Sequence, residues 1–311
     1  MSKTIVTGSN GLVGSQFEGN IISITSKKCD LRNQSDVNKL FNFYTNYELH
    51  GHDAADSVIH CAGKVGGVKN NMLHKGEFYY DNIMINTNVI EAARTSGIKK
   101  LVAFLSTCIF PDNIEYPLTE DKIHLGAPHP SNDGYAYAKR MGAVQIQAYK
   151  EQYNLDYKAV IPTNIYGVND NFSIENGHVI PSLIHKCYIA RENNSDLVVW
   201  GSGKPLREFI YSKDVAKLTE WVLNKYKEST PIILGNSVEI SIMDVVDLIV
   251  KEMNFKGRVI FDTTKPEGQF RKPSDNSKLM SYLPNFNFTP IEEGLKETIN
   301  WFENNYKDIR K

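Results

Sequence analysis

The chain has 311 residues, 41% of them apolar, and a formal net charge of -1 at pH 7. At roughly 150 residues per domain, this length suggests about two domains or one large α/β unit with a sizeable core. The near-neutral balance offers no global attraction to nucleic acid or anionic membranes and leaves local basic pockets as the only electrostatic traps. Cys29, Cys61, Cys108 and Cys187 fit no zinc template, no CxxC pair and no disulfide scaffold, so reduced thiols and a cytoplasmic setting are expected. No apolar run reaches the ~18 residues of a membrane helix. The chain passes from Met1-Ser2-Lys3 straight into a strand pattern, so no signal peptide is expected. No metal site is expected either.

In chain order, the first half alternates strand and helix. Residues 3–7 form a short β-branched run ending at Gly8 and read as a buried strand. A glycine-rich turn and a short helix are expected next. Strands follow at 21–25, 57–61 and 101–105, with helical spacing near 34–45 and 78–96 between them. A long helix over 134–153 leads into a strand at 157–161. This rhythm predicts an α/β fold, a Rossmann-type doubly wound parallel sheet with helices on both faces. After Pro162 the loops lengthen and gain Asn and Gly, and helices are expected near 213–226, 241–253 and 290–306. The expected division is a dinucleotide-binding Rossmann domain over 1–165 and a smaller C-terminal α/β substrate domain over 166–311. Segments around 197–235 are expected to cross back to the first domain.

The turn after the first strand reads Thr7-Gly8-Ser9-Asn10-Gly11-Leu12-Val13-Gly14. Glycines at 8, 11 and 14 suit a tight turn, close approach to a pyrophosphate and close packing of the following element on the strand. A helix starting there would aim free N–H groups at the phosphate. The second strand ends in Thr25-Ser26-Lys27-Lys28, whose cations suit a ribose 2′-phosphate and hence NADP(H). Asp30 is the acid that would favour NAD; it is read as lying past the strand, near the adenine. A solvated surface pair is the plain alternative for Lys27 and Lys28.

Tyr135 and Lys139 form Y-x-x-x-K on the long helix, so both lie on one face. A phenol with a reference pKa of about 10 exchanges protons poorly at neutral pH. An ammonium beside it is expected to lower that pKa. Ser106 and Thr107 end the fourth strand, where an α/β sheet places its ligands and where a hydroxyl can bond a substrate carbonyl.

The glycine turn, the strand-end Ser/Thr and Y-x-x-x-K, in this order, resemble the extended branch of the short-chain dehydrogenase/reductase superfamily. Further segments resemble the GDP-L-fucose synthase family in its eukaryote-type form. These are Lys64-Val-Gly-Gly67, Leu105-Ser-Thr-Cys-Ile-Phe-Pro111, Gly134-Tyr-Ala-Tyr-Ala-Lys-Arg140, Ile161-Pro-Thr-Asn-Ile-Tyr-Gly167, Asp170-Asn-Phe172, Gly177-His-Val-Ile-Pro181, Arg207-Glu-Phe209 and Phe261-Asp-Thr-Thr264. The likeness spans nearly the whole chain.

The resemblance implies an NADPH-dependent enzyme acting on a GDP-4-keto-6-deoxy sugar, and a homodimer built on the segments 78–96 and 134–153. It implies that Cys108 and His178 exchange the C3 and C5 protons, with Ser106, Tyr135 and Lys139 completing the catalytic set. It implies that Gly8 to Gly14, Lys27, Asp30, Ala62, Tyr135, Lys139, Pro162, Asn164 and His178 line the cofactor. Ser106, Thr107, Asn164, Lys186, Trp200 and Arg207 match the family's substrate positions, with Arg271 and Lys272 as weaker matches at the GDP moiety. Plain readings stay open: Cys108 as a small buried side chain, His178 as a structural histidine, Trp200 as core. A related epimerase or 4-reductase for another GDP-sugar, such as a deoxyheptose, is the competing enzyme. A non-catalytic NADP-binding scaffold is the competing non-enzyme. A 4,6-dehydratase would carry an Asp-Glu pair after the strand-end Thr, where this chain has Cys108-Ile109.

Overall fold

The computed structural model describes residues 2–265 and 269–310. In chain order the elements begin β1 (Lys3–Thr7), β2 (Ile21–Ile24), α1 (Gln34–Thr45), α2 (Tyr47–His50), β3 (Ala55–His60), α3 (Val68–Leu73), α4 (Lys75–Thr95) and β4 (Lys100–Phe104). There follow α5 (Asp133–Tyr153), β5 (Asp156–Pro162), β6 (Asn164–Tyr166), α6 (Val179–Glu192), β7 (Leu197–Trp200), β8 (Leu206–Tyr211) and α7 (Ser212–Lys225). The chain ends with β9 (Ile232–Leu234), β10 (Glu239–Ser241), α8 (Ile242–Glu252), β11 (Val259–Asp262), α9 (Ser277–Tyr282) and α10 (Ile291–Asn304). Two compact units result. One comprises residues 1–114, 119–162 and 215–234; the other comprises 115–118, 163–214 and 235–311.

The first unit is built on a six-stranded parallel sheet in the order β2-β1-β3-β4-β5-β9. The strands are short apolar runs, with Ile5, Val6, Val58, Leu101, Val102, Val160 and Ile161 almost wholly buried, as a sheet covered on both faces requires. The side chains of β5 show the two-sided cover directly. Tyr157 hydrogen-bonds to the Ile98 carbonyl on the side of α4 and α5, while Lys158, its neighbour on the strand, reaches the Leu223 carbonyl of α7. The strand order reverses between β1 and β3, and ligands of open α/β sheets bind outside the strand carboxyl ends at such a switch point.

One expected element is missing. No α-helix follows the glycine turn; residues 8–20 hold only a single 3-10 turn, Gly14–Gln16. The reason is length. Parallel strands need a crossover of about a dozen residues, and here that span must both turn and return to the sheet. Phe17 plugs the core and Gly19, at φ +84°, turns the chain back into β2. A phosphate near Gly8 would therefore meet turn amides and no helix dipole.

In the second unit, β6 and β8 pair in parallel and β10 adds antiparallel to β8; β7 and β11 form a separate parallel pair. Its core gathers Ile180, Ile184 and Cys187 of α6, Val245 and Ile249 of α8, and Leu295, Ile299 and Phe302 of α10. Each helix contributes apolar residues at three- and four-residue spacing.

Candidate active site

At the C-terminal edge of the first unit's sheet, the glycines behave as their spacing suggests. Gly8 has φ +70°, and a Cβ on it would lie 2.9 Å from the Ala62 backbone. A Cβ on Gly14 would fall onto the Gly8 carbonyl, 2.8 Å from Ser9 Cα. The turn is closed by Gly11 N–H donating to the Gly8 carbonyl at 2.9 Å. Ala62 thus sits directly against the turn, across the switch point. Among the described residues, the N–H groups of Leu12, Val13 and Gly14 have no backbone acceptor in hydrogen-bonding geometry. Ser9 is half-buried and Asn10 exposed.

Behind Ala62 lies a buried polar relay that residue spacing did not signal. His60 Nε2 is 3.1 Å from Asn86 Oδ1, an acceptor, so this nitrogen carries the proton. His60 Nδ1 then accepts from the Thr7 hydroxyl at 2.7 Å, and Thr7 Oγ1 accepts from Ala62 N–H at 3.4 Å. Burial, aided by the charge of Lys139, holds the His60 pKa down at about 3, so the ring is neutral throughout the physiological range. A strand of apolar residues hides such a group, because nothing in spacing separates it from core.

Ser106, Cys108, Tyr135 and Lys139 come together in this unit. Ser106 leaves β4, and its hydroxyl accepts from Cys108 N–H at 3.3 Å, opening a 3-10 turn over Thr107–Ile109. The Tyr135 phenol hydrogen-bonds to the Ser106 side chain. Thr107 and Cys108 are half-buried, so Cys108 is not a sealed core thiol. Lys139 is 3% exposed and donates to the Phe104 carbonyl at 3.0 Å; burial lowers its pKa to about 8, with the Cys61 thiol opposing.

The expected action of Lys139 on Tyr135 is not what this geometry gives. Loss of hydration raises the phenol's pKa, Cys108 adds to the rise, and only the Ser106 hydrogen bond opposes it. The ammonium points at Phe104 and does not offset the desolvation. Tyr135 is held as a neutral phenol, a proton donor.

Near the end of β2, Lys27 and Lys28 are exposed beside an open cavity of about 520 Å³ that Asp30, Lys39 and Tyr44 also line. Lys28 lies 4.9 Å over the Tyr44 ring and donates to the Ser23 carbonyl, so it is not merely solvated. Asp30 is engaged by Arg32, Nε to Oδ1 at 2.9 Å and Nη2 to Oδ2 at 2.8 Å, which holds its pKa low. Arg32 also reaches Asp81 at 3.1 Å, and Asp81 reaches Lys64 at 2.9 Å. Pro162, the last residue of β5, is buried in the first unit.

The remaining expected residues lie in the second unit. His178 is exposed at the N-cap of α6. Lys186 of α6 places its ammonium 4.3 Å from the centre of the Trp200 ring, and Trp200 is 47% exposed, which removes the core reading for it. A cavity of about 250 Å³ adjoins this pair, and burial lowers the Lys186 pKa. Exposed Asn164 on β6 donates to the Glu208 carbonyl at 2.8 Å. Arg207, next to Glu208, is half-buried, and its pKa is lowered by burial, with Tyr116 and Glu239 opposing. Arg271 is exposed and ion-paired with Glu239, donating from Nε at 2.6 Å. Glu208 is a further residue the spacing left silent; it is buried and accepts from Ser274 N–H at 2.7 Å and Ser274 Oγ at 2.6 Å. Lys272, beside Arg271, is half-buried.

A doubly wound sheet with a glycine turn at its switch point, and a Tyr–Lys helix beside a strand-end serine, defines a dinucleotide-dependent oxidoreductase. The chain belongs to the NAD dependent epimerase/dehydratase family, whose profile matches residues 4–235. It is 47% identical to the GDP-L-fucose synthase of Dictyostelium discoideum, across 99% of this chain and 97% of that one. It is 40% identical to the probable GDP-L-fucose synthase of Drosophila melanogaster, across the whole of both. The crystal structure of a GDP-L-fucose synthetase from Naegleria fowleri bound to NADP superposes with a TM-score of 0.92 at 41% identity, covering 100% of this chain and 95% of that one.

Proposed function

We propose that the chain inverts C3 and C5 of GDP-4-keto-6-deoxy-D-mannose and then reduces C4 with NADPH, giving GDP-L-fucose. The observation that carries this reading is the group at the end of β4: a half-buried Cys108, a Ser106 hydroxyl and a neutral Tyr135 phenol joined through Ser106. The tight turn of Gly8 against Ala62 fits a dinucleotide, since among the described residues the N–H groups of Leu12, Val13 and Gly14 beside it have no backbone acceptor. Lys27 and Lys28, with Asp30 neutralised by Arg32, suit the 2′-phosphate of NADP better than the bare ribose of NAD.

The chemistry assigns the residues. Protons at C3 and C5 are α to the C4 carbonyl and weakly acidic. Cys108 and His178, a thiol and an imidazole, serve as the acid–base pair. Charge that develops on O4 when either proton leaves is met by the Ser106 hydroxyl and the Tyr135 phenol. NADPH, when bound, supplies hydride to C4. Tyr135 then gives O4 its proton, and Lys139, protonated at neutral pH, is within the same site to hold the cofactor's ribose. Thr107 and Asn164 face the hexose, and Lys186, Trp200, Arg207 and Arg271 take the GDP moiety; Pro162 and His178 are assigned a further contact with the cofactor.

On this reading the first unit holds the dinucleotide and the reacting groups at the end of β4, and the second unit, which keeps 163–214 and returns only 215–234 to the first, supplies the groups for the GDP moiety. Tyr79 and Tyr80 of α4 and Tyr137, Met141 and Val144 of α5 stand exposed, which suits a homodimer built on these two helices. The four free thiols suit a cytoplasmic enzyme. The test is product analysis after incubation with NADPH and GDP-4-keto-6-deoxy-mannose. GDP-L-fucose is expected. Absence of NADPH oxidation with this substrate, or faster turnover of another GDP-keto-sugar, overturns the assignment.

A further inference from the structure

Arg140 follows Lys139 on α5 and is 5% exposed. Among the described residues it has no carboxylate within ion-pair distance. Its donors go to two main-chain carbonyls instead. Nε lies 2.9 Å from the Ile109 carbonyl, Nη2 bonds the same oxygen, and Nη1 lies 2.9 Å from the Gly126 carbonyl. Burial pushes its pKa down, with Tyr137, whose ring centre lies 5.4 Å from the guanidinium, opposing. A buried charge with no carboxylate partner is costly, and an apolar side chain of the same volume would serve packing better.

What the charge achieves is local. Ile109 closes the 3-10 turn that carries Cys108. Ser106 holds the front of this turn, through Cys108 N–H to its hydroxyl and Ile109 N–H to its carbonyl at 3.1 Å. Arg140 holds the back. Gly126 extends the grip to the returning loop, where Asp112 N–H donates to the Ala127 carbonyl at 2.9 Å. Because Arg140 shares a helix with Tyr135 and Lys139, the element that carries the phenol also fixes the thiol.

We propose that Arg140 is a positioning residue for Cys108, setting proton exchange at C3 and C5 independently of the reduction at C4. This rests on the role given to Cys108 above. The decisive variant is Arg140→Met, with Arg140→Lys as a folded control that keeps one donor arm. Two measurements are needed. The first is amide hydrogen exchange of the peptide spanning 107–112. It should quicken at least about tenfold in Arg140→Met, while residues 141–153 of α5 keep their protection. The second is solvent deuterium incorporation at C3 and C5 of the keto-sugar, set against NADPH oxidation. Incorporation should fall about 100-fold, the scale of an ångström's misplacement, while the NADPH dissociation constant stays within about threefold. The reduced product should shift towards the sugar without inversion. Arg140→Lys should recover part of the loss. Unchanged amide exchange at 107–112, or exchange and reduction falling in equal proportion, overturns the proposal. If the wild-type chain itself fails on the keto-sugar while the amide effect appears, the substrate reading falls and Arg140's grip on the Cys108 turn stands.

Discussion

The two units present their functional side chains in opposite ways. In the first, polar groups at the sheet edge are satisfied from within: Thr7 by His60, His60 by Asn86, Lys139 by Phe104, and Tyr135 with Ser106. In the second, Lys186 stands over the Trp200 ring, Arg207 donates to the Leu206 carbonyl, and exposed Arg271 is paired with Glu239. Proton transfer needs fixed geometry and controlled hydration, so its groups are locked before any ligand arrives. A charged ligand can be caught by side chains whose weak partners are exchanged for phosphate.

The largest effect should come from the locked side. Tyr135→Phe is expected to lower NADPH oxidation by about 10³-fold, while deuterium exchange at C3 and C5 falls far less because the Ser106 hydroxyl still meets the charge on O4. Equal loss of both would mean that the phenol is needed for enolisation as well as for the final protonation.

Asp170 tests the contrast from the other unit. It is 3% exposed, its Oδ2 has no partner, and burial raises its pKa to about 7, with Asn171 N–H and Arg310 opposing. A carboxyl raised above its unfolded value of about 3.9 contributes fully below that value, and the contribution is lost as pH rises through 7. Asp170→Asn should therefore gain on the wild type between pH 4 and 7, by something on the order of 2–4 kcal/mol. Denaturant unfolding of both forms at pH 5 and 8 measures it; a difference that ignores pH removes the account.

Trp200→Ala should be milder, raising KM for the GDP-sugar about tenfold with kcat within about twofold, as loss of a stacking surface does. A fall in kcat alone would place Trp200 in the chemistry. The smallest effect concerns Lys139. Its pKa of about 8 makes the ammonium scarce on the alkaline side. NADPH affinity should be flat below pH 7 and weaken several-fold by pH 9. An affinity unchanged to pH 9 would free Lys139 from cofactor binding.

Much of this molecule could be read along the chain. Strand and helix positions follow from apolar spacing, and Gly8, Gly14, Tyr135 and Lys139 lie where their intervals imply. Two inferences failed for the same reason. The helix after Gly14 fails because a crossover of that length must return to the sheet before a helix can form. The lowered Tyr135 pKa fails because burial, which no interval encodes, raises it, while the Lys139 ammonium is turned to the Phe104 carbonyl.

The sequence alone therefore determined the parallel α/β plan, the glycine turn and the identity of the reactive side chains, since these depend on local periodicity and residue chemistry. Tertiary structure decided which protonation states those side chains hold and what holds them. His60, Asn86, Arg140, Glu208 and Glu239 act through partners between 14 and 66 positions away. Contacts at that separation exist only once the sheet has assembled and water has been removed from its edge.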